Sequence, residues 1–579
     1  MSTRDHKIRK KQPVISVPVW RARFVLVCMM FAFGALVVRA LQLQGLNTDF
    51  LQAQGEKRYP QELILPAIRG KILDRSGKVV LASSVLVKAV WANPQDSARA
   101  SDQQLAQVGD LLGMSLAEVK RQLSRGGREF AYLKRQVELD VVEQILALKV
   151  PGIHAKDELR RVYPEGETVS QIVGITDIDG EGSEGVELAF NRELAGQAGS
   201  RKVLRDRLGR VLEDVAEVIP PTHGQDIYLS LDAGMQYDTF MALEKAMQDT
   251  NAKAASAIVA DVQTGEILAL VNLPTYDPSQ RDTIRPELTR NRALTDTFEP
   301  GSTMKPFTIA LALDIKRIGL NTKFNTGSGR YQYQGHTISD VSRHNGVLDA
   351  AGILRRSSNI GMTMISEILT SEEMWQRFTV LGFGRAPQIG FPGAVAGRLR
   401  PWDRWRPIER ATMAYGYGLS VSLMQMAQAF TVFARNGDMV SLTLLKRDMQ
   451  PTTVQVYRPE VALAVRDMLE EAAGPDGARL AQVQGYRVAG KSGTARKIVD
   501  GKYSKSLYRG SFVGFAPASN PRIVVAVSID EPKGHYFGGR IAAPVFAEIV
   551  ANSLRRLEVE PDEPVDALVA LGTDQEKRQ

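Results

Sequence analysis

Apolar and polar positions divide this chain into distinct patterns. Residues 24–38 (FVLVCMMFAFGALVV) are uncharged and apolar, and continuing past Arg39 and Gln42 to Leu43 gives 20 residues. A membrane-spanning helix needs about 17–25. Arg39 can reach back to the interface, and Trp20 stands where an interfacial aromatic belongs. Residues 101–148 repeat Leu and Val at three- and four-residue spacing and read as mostly helical. Residues 69–77 read as strand, Ser76-Gly77 turn, strand. The glycines of 180–185 mark a turn before a helix-like 186–194. Residues 226–231 alternate like a strand, and 254–262 with 266–272 flank Gln263-Thr264-Gly265 as a β-hairpin. Strand-like runs return at 486–490, 511–516 and 522–529, with mainly helical sequence between the two groups. Strands early and late with helices between predict one sheet assembled from both ends and packed by helices, an α+β fold. Residues 219–224 (IPPTHG) read as a linker, and the polar stretch after Glu558 as a loose tail.

The net charge of +8 changes meaning once located. Residues 1–23 hold seven Lys and Arg against Asp5 alone, leaving a nearly balanced body. That is the charge pattern of a membrane anchor and not of a nucleic-acid-binding domain. A cleavable signal peptide would need a small-residue site after the apolar run, and Arg39–Gly45 has no A-x-A pattern. The reading is an uncleaved anchor over 24–43, a basic tail (1–23) inside, and everything after about residue 45 outside. The only cysteine is Cys28, and the six histidines form no close-spaced ligand pair, so metal catalysis has little support.

Three short motifs carry candidate chemistry. Ser302-Thr303-Met304-Lys305 follows the turn Phe298–Gly301 and opens an apolar-periodic stretch ending near Ile318. It puts a hydroxyl and an amine one helical turn apart on one face. A serine becomes a nucleophile when a neighbouring base takes its proton. A lysine serves as that base if burial, a nearby cation or a helix N-terminus lowers its pKa. Ser357-Ser358-Asn359 lies between a helix-like 346–356 and the apolar run 360–369; Ser357 could relay a proton and Asn359 orient a substrate amide or the lysine. Lys491-Ser492-Gly493-Thr494 extends a strand-like run, and its glycine fits close backbone approach by a ligand. Such an edge can pair with an extended peptide while its hydroxyls and lysine hold a carboxylate. Alone, each motif also reads as a helix cap, a turn or a lysine-protected edge strand. Together, in this order, they form one constellation.

With these motifs, RGKILDRSG (69–77), RRVYPEGE (160–167), GEGSEGVE (180–187), FEPGSTMKP (298–306), RRSSN (355–359), AYGYGLS (414–420) and KSGTARK (491–497), the chain resembles the class B penicillin-binding proteins. VPVWRARFVLV and NRALTDTFEPGSTMKP are similar to their division branch. The resemblance implies a single transmembrane helix, a mixed α/β non-catalytic pedestal of dimerisation type (46–220), a transpeptidase domain with an antiparallel sheet between helix layers (224–557), and a flexible tail (558–579). It implies D,D-transpeptidation of cell-wall stem peptides in the Gram-negative periplasm, at the division septum, with no cofactor. Ser302 would attack the D-Ala-D-Ala carbonyl and form an acyl-enzyme that an amine of diaminopimelate on a neighbouring peptide resolves. Lys305 would be the base, and Ser357 would pass the proton to the leaving amine with electrostatic support from Lys491. The N–H groups of Ser302 and Thr494 would form the oxyanion hole, and Ser492 and Thr494, flanking Gly493, would bind the carboxylate. Tyr415, Tyr417, Arg496, Tyr536 and Phe537 are expected along the cleft. Implied partners are the SEDS-class glycosyltransferase FtsW, other divisome proteins, the inner membrane, and β-lactams as inhibitors. An elongation-type transpeptidase, a penicillin-hydrolysing or sensor protein, and a non-enzymatic scaffold are the alternatives. Intact motifs weigh against a scaffold, the anchor and large N-terminal region against a hydrolase, and the absence of G-x-S-x-G against a Ser-His-Asp enzyme.

Overall fold

The N-terminal apolar run forms a helix, Val19–Leu41, long and apolar enough to cross a membrane. It starts five residues before the uncharged run because Pro18 at its N-cap, and not Arg21 or Arg23, sets its beginning. A computed structural model describes residues 18–42, 60–125, 130–205, 211–214 and 218–563. Arg4, Lys7, Arg9, Lys10 and Lys11 of the basic tail, Leu43, residues 46–59 and the tail beyond Glu563 lie outside the described residues.

The chain clusters into two units, one from residues up to Ala67 with Gln197–Thr222, the other from Ile68–Gly196 with His223 onward. In the first, Pro60–Leu65, Gly199–Arg205 and Val211–Asp214 form an antiparallel sheet in that order. Ile219 and Thr222, read from sequence as linker, bridge Ser200 and Gln197.

In the second unit, the long strand Val80–Ala92 pairs with Ile72–Leu73, Ala131–Val137 and Ile153–Val162. The strand Ala131–Val137 interrupts the expected helical stretch, which resolves into helices Asp102–Leu112, Leu116–Arg125 and Leu139–Ala147. Its period is two: Ala131, Leu133 and Val137 are buried, while Tyr132 and Lys134 are not. The three N-terminal motifs meet at one buried carboxylate. Glu187 accepts from Arg69 Nε and Arg161 Nε, both at 2.6 Å, while Arg69 also donates to Asn191 Oδ1 at 2.7 Å.

The principal sheet contains β1 (Ala254–Asp261), β2 (Ile267–Leu273), β3 (Ala489–Val499), β4 (Lys502–Ala516) and β5 (Ile523–Asp530). Its order is β2-β1-β5-β4-β3, all antiparallel, joining the early hairpin to the late strands. Every residue of β1 is buried because both faces are covered. Ala257 and Val259 face a cluster with Phe240 and Leu243 of α1 (Ala233–Thr250) and Phe546 of the C-terminal helix Ala543–Arg556. Ile258 and Ala260 face the opposite cluster with Phe307 and Phe430. β3 begins at Ala489, later than read. β4 begins at Lys502, nine residues before the run 511–516, because its outer half is polar and exposed. The stretch 226–231 shrinks to the two-residue strand Ile227–Tyr228.

Candidate active site

Ser302 sits in a 3-10 turn, Gly301–Met304, that leads into α2 (Lys305–Asp314); α2 stops before Ile318, where Lys316 turns left-handed (φ 58°). The turn is held by backbone approach. Gly301 N–H donates to Gly416 O at 3.0 Å, and a Cβ on Gly416 would lie 2.1 Å from Gly301 O, so the 414–418 loop needs glycine there.

Ser357 caps α3 (Ala350–Arg356) in the left-handed region, φ 54° and ψ 43°, where glycine is usual. Such a conformation costs on the order of 1–3 kcal/mol and collects at functional sites. It brings Ser357 Oγ to 2.9 Å from Ser302 Oγ. Lys305 Nζ donates to Ser357 O (2.6 Å), Ser357 Oγ (3.2 Å) and Asn359 Oδ1 (2.9 Å). Ser302, Ser357 and Lys305 thus form a hydroxyl–hydroxyl–amine chain, with Ser357 between the other two.

Lys305 is 0% exposed and has only neutral hydrogen-bond acceptors. Burial first, and the charge of Lys491 second, push its pKa well below the ordinary value, against a weaker opposing pull from Asp340. Lys491, also buried, is pushed down to about 8 by burial. Its Nζ donates to Ser492 O at 3.3 Å.

The third motif lies on β3, the sheet edge beside the nucleophile turn. A Cβ on Gly493 would meet Ser511 Oγ at 2.6 Å and Pro300 O at 2.9 Å, so glycine lets β3 approach the turn. Thr494 Oγ1 accepts from Gly538 N–H (3.0 Å), and Thr494 O accepts from Tyr417 OH (3.3 Å). A cavity of about 870 Å³ is lined by Ser302, Ser357, Asn359, Lys491, Ser492 and Thr494, with Tyr417, Arg496, Tyr536 and Phe537 on its walls. Lys305 lies behind this lining. Tyr415 does not reach the cavity: it is buried in the core, its ring 5.9 Å from that of Tyr417. A hollow of about 950 Å³ lies nearby but holds none of the motif residues, so chemistry and not size marks the site. Among the described residues no group of His, Cys, Asp or Glu could hold a metal ion.

Two residues escaped the sequence reading. Asp340 anchors the start of α4 (Asn359–Ile368): it accepts from Ser358 Oγ (2.6 Å), Asn359 N (2.6 Å), Ile360 N (3.0 Å) and Asn345 Nδ2 (2.8 Å). Nothing in its local sequence marks it, because three of its four donors come from the segment 358–360. Glu299 ties Gly418 N–H (2.7 Å) to Tyr503 OH (3.1 Å), and burial raises its pKa. Its position three residues before Ser302 was the available signal.

Residues 255–551 match the penicillin-binding protein transpeptidase domain, and residues 64–229 the penicillin-binding protein dimerisation domain. The chain belongs to the class B penicillin-binding proteins. It is 40% identical over 552 residues to the probable peptidoglycan D,D-transpeptidase PenA of Neisseria gonorrhoeae, covering 94% of each chain. It is 35% identical over 572 residues to the peptidoglycan D,D-transpeptidase FtsI of Escherichia coli K12, covering 97% of this chain and 96% of that one. Among solved structures, a peptidoglycan synthetase from Bifidobacterium adolescentis matches with TM-score 0.70 and 28% identity, over 87% of this chain and 98% of that one. The α+β fold, with an antiparallel transpeptidase sheet and one N-terminal apolar helix, is that of the family.

Proposed function

We propose that this chain is a peptidoglycan D,D-transpeptidase that cross-links stem peptides through a Ser302 acyl-enzyme during septal wall synthesis. The observation that carries the reading is the chain from Ser302 Oγ through Ser357 Oγ to Lys305 Nζ, with the amine buried and its proton affinity depressed. Neutral Lys305 receives the Ser302 proton, and Ser302 Oγ adds to the penultimate D-Ala carbonyl. The oxyanion meets the N–H groups of Ser302 and Thr494; one such donor is worth about 2.7–4 kcal/mol. Ser357 relays that proton from Lys305 to the departing D-Ala amine, with Lys491 supporting it, so the C–N bond breaks and Lys305 is neutral again. Asn359 holds Lys305 and the donor amide, while Ser492 and Thr494 hold the terminal carboxylate, the close packing at Gly493 keeping that strand against the nucleophile turn. An acceptor amine of diaminopimelate then attacks the ester, forms the new amide and returns the proton to Ser302. A β-lactam acylates the same oxygen and stays. Tyr417 and Arg496 contact the donor, with Tyr536 and Phe537 beside them.

The domain reading is a pedestal over 46–220, a transpeptidase domain over 224–557 and a tail from 558. The helix Val19–Leu41 anchors it in the inner membrane, with the basic N-terminus cytoplasmic and the catalytic domain periplasmic; charge asymmetry supports this topology. Partnership with FtsW and other divisome proteins, and a septal location, draw support from the likeness to FtsI. The test is mass spectrometry of the penicillin-treated protein. A long-lived adduct on the peptide containing Ser302, absent in Ser302→Ala, is expected. An adduct elsewhere, or rapid turnover of the penicillin, would overturn the assignment.

A further inference from the structure

The walls of the Ser302 cavity are cationic beyond what the proposed chemistry uses. Among the described residues, Arg356, Arg479, Arg496 and Arg540 line it together with Lys491, and no Asp or Glu does. Among the described residues none of the four guanidinium groups has a carboxylate partner. The adjoining hollow is the opposite: Asp467, Glu470 and Glu471 line it, and its arginines are paired, Arg355 with Glu471 at 3.1 Å and Arg487 with Glu470 at 2.7 Å. The two cavities share Arg355, so the charge changes sign along one surface.

A concave wall of one sign focuses its field and raises the local concentration of opposite charge. Lys491, Ser492 and Thr494 account for one carboxylate, the terminal one. Among the described residues Arg356, Arg479 and Arg540 have no carboxylate partner, and that assignment gives them none. Guanidinium forks match carboxylates in geometry as well as in charge. We infer that the cleft selects polyanionic ligands: donor peptides and acylating inhibitors carrying at least one carboxylate beyond the one at the reacting end. In a stem peptide the diaminopimelate side chain supplies such a group, and its amidation removes it. The inference rests on the transpeptidase reading of the same site, and it assigns Arg356, Arg479 and Arg540 to ligand selection.

The test compares benzylpenicillin with carbenicillin, which is the same molecule bearing one more side-chain carboxylate. Second-order acylation constants of the full chain in detergent are measured for both, at low salt and at half-molar salt, in the unmodified protein and in the Arg356→Gln/Arg479→Gln/Arg540→Gln variant. Intact mass reports the Ser302 adduct. The carbenicillin-to-benzylpenicillin ratio is expected to fall by up to about tenfold, both with salt and in the variant. A ratio unmoved by either overturns the inference while leaving Ser302 acylation standing. Failure of both penicillins to acylate Ser302 overturns the transpeptidase reading, and the inference with it. The salt series on the unmodified protein decides the question even if the triple variant fails to fold.

Discussion

Around Glu187 the protein buries three charges and lets them meet; around Lys305 it buries two amines, neither of which has a carboxylate partner among the described residues. In the first cluster Arg69 and Arg161 each donate to a separate oxygen of a carboxylate with 0% exposure. These three side chains come from three separate sequence motifs, and the ion pairs fix those segments against one another. In the second cluster Lys305 and Lys491 are desolvated and repel each other, and the carboxylate that acts on Lys305, Asp340, is already surrounded by four donors. A buried charge that is matched holds geometry; a buried amine left unmatched has its pKa lowered, the property a base for Ser302 needs. The fold contains both solutions, and the unmatched one lies beside the serine.

Removing Lys305, the proposed base, is expected to have the largest effect. Lys305→Met should slow acylation by benzylpenicillin by about 10²–10⁴-fold, the usual contribution of a positioned general base, without loss of stability, because a desolvated amine is replaced by an apolar chain of similar length. A stopped-flow or quench series checks this; near-normal acylation would contradict it. Glu187→Gln should do the reverse. Two buried guanidinium groups lose their counter-charge, a change that costs about 3–5 kcal/mol, read as a lower urea midpoint, while the protein that remains folded acylates at a near-normal rate. Asp340→Asn should fall between them. It weakens charge-assisted hydrogen bonds at the start of α4, worth about 1.5–3 kcal/mol in general, and should slow acylation modestly by loosening Ser357 and Asn359. Thermal melting and acylation kinetics together check that prediction.

The sequence revealed the parts of this contrast that are local. The hairpin at β1 and β2 was legible because both of its strands are apolar on both faces around a Gln-Thr-Gly turn. The nucleophile turn, the Ser357 segment and β3 were legible as motifs, since each packs its chemistry into four residues or fewer. The strand Ala131–Val137 was hidden by helical neighbours on either side, and the outer half of β4 by its polar surface. Asp340 was not legible at all: a lone aspartate gains its role only when folding brings Ser358 and Asn359 to it. Tyr415 and Tyr417 look equivalent in AYGYG, yet only Tyr417 reaches the cleft, a difference set by the turn at Gly416.

The central claim, that a neutral Lys305 accepts the proton of Ser302, is tested most directly by the pH dependence of benzylpenicillin acylation. Deprotonating Lys305 activates the serine, so the rate should rise with pH along a limb far below the ordinary lysine value of 10.5. It should decline again near pH 8, where Lys491 loses its charge. In Lys491→Gln the declining limb should vanish, and the rising limb should move to higher pH because Lys305 no longer has a cationic neighbour. A rate that climbs without interruption to pH 10 in the unmodified protein would contradict the account.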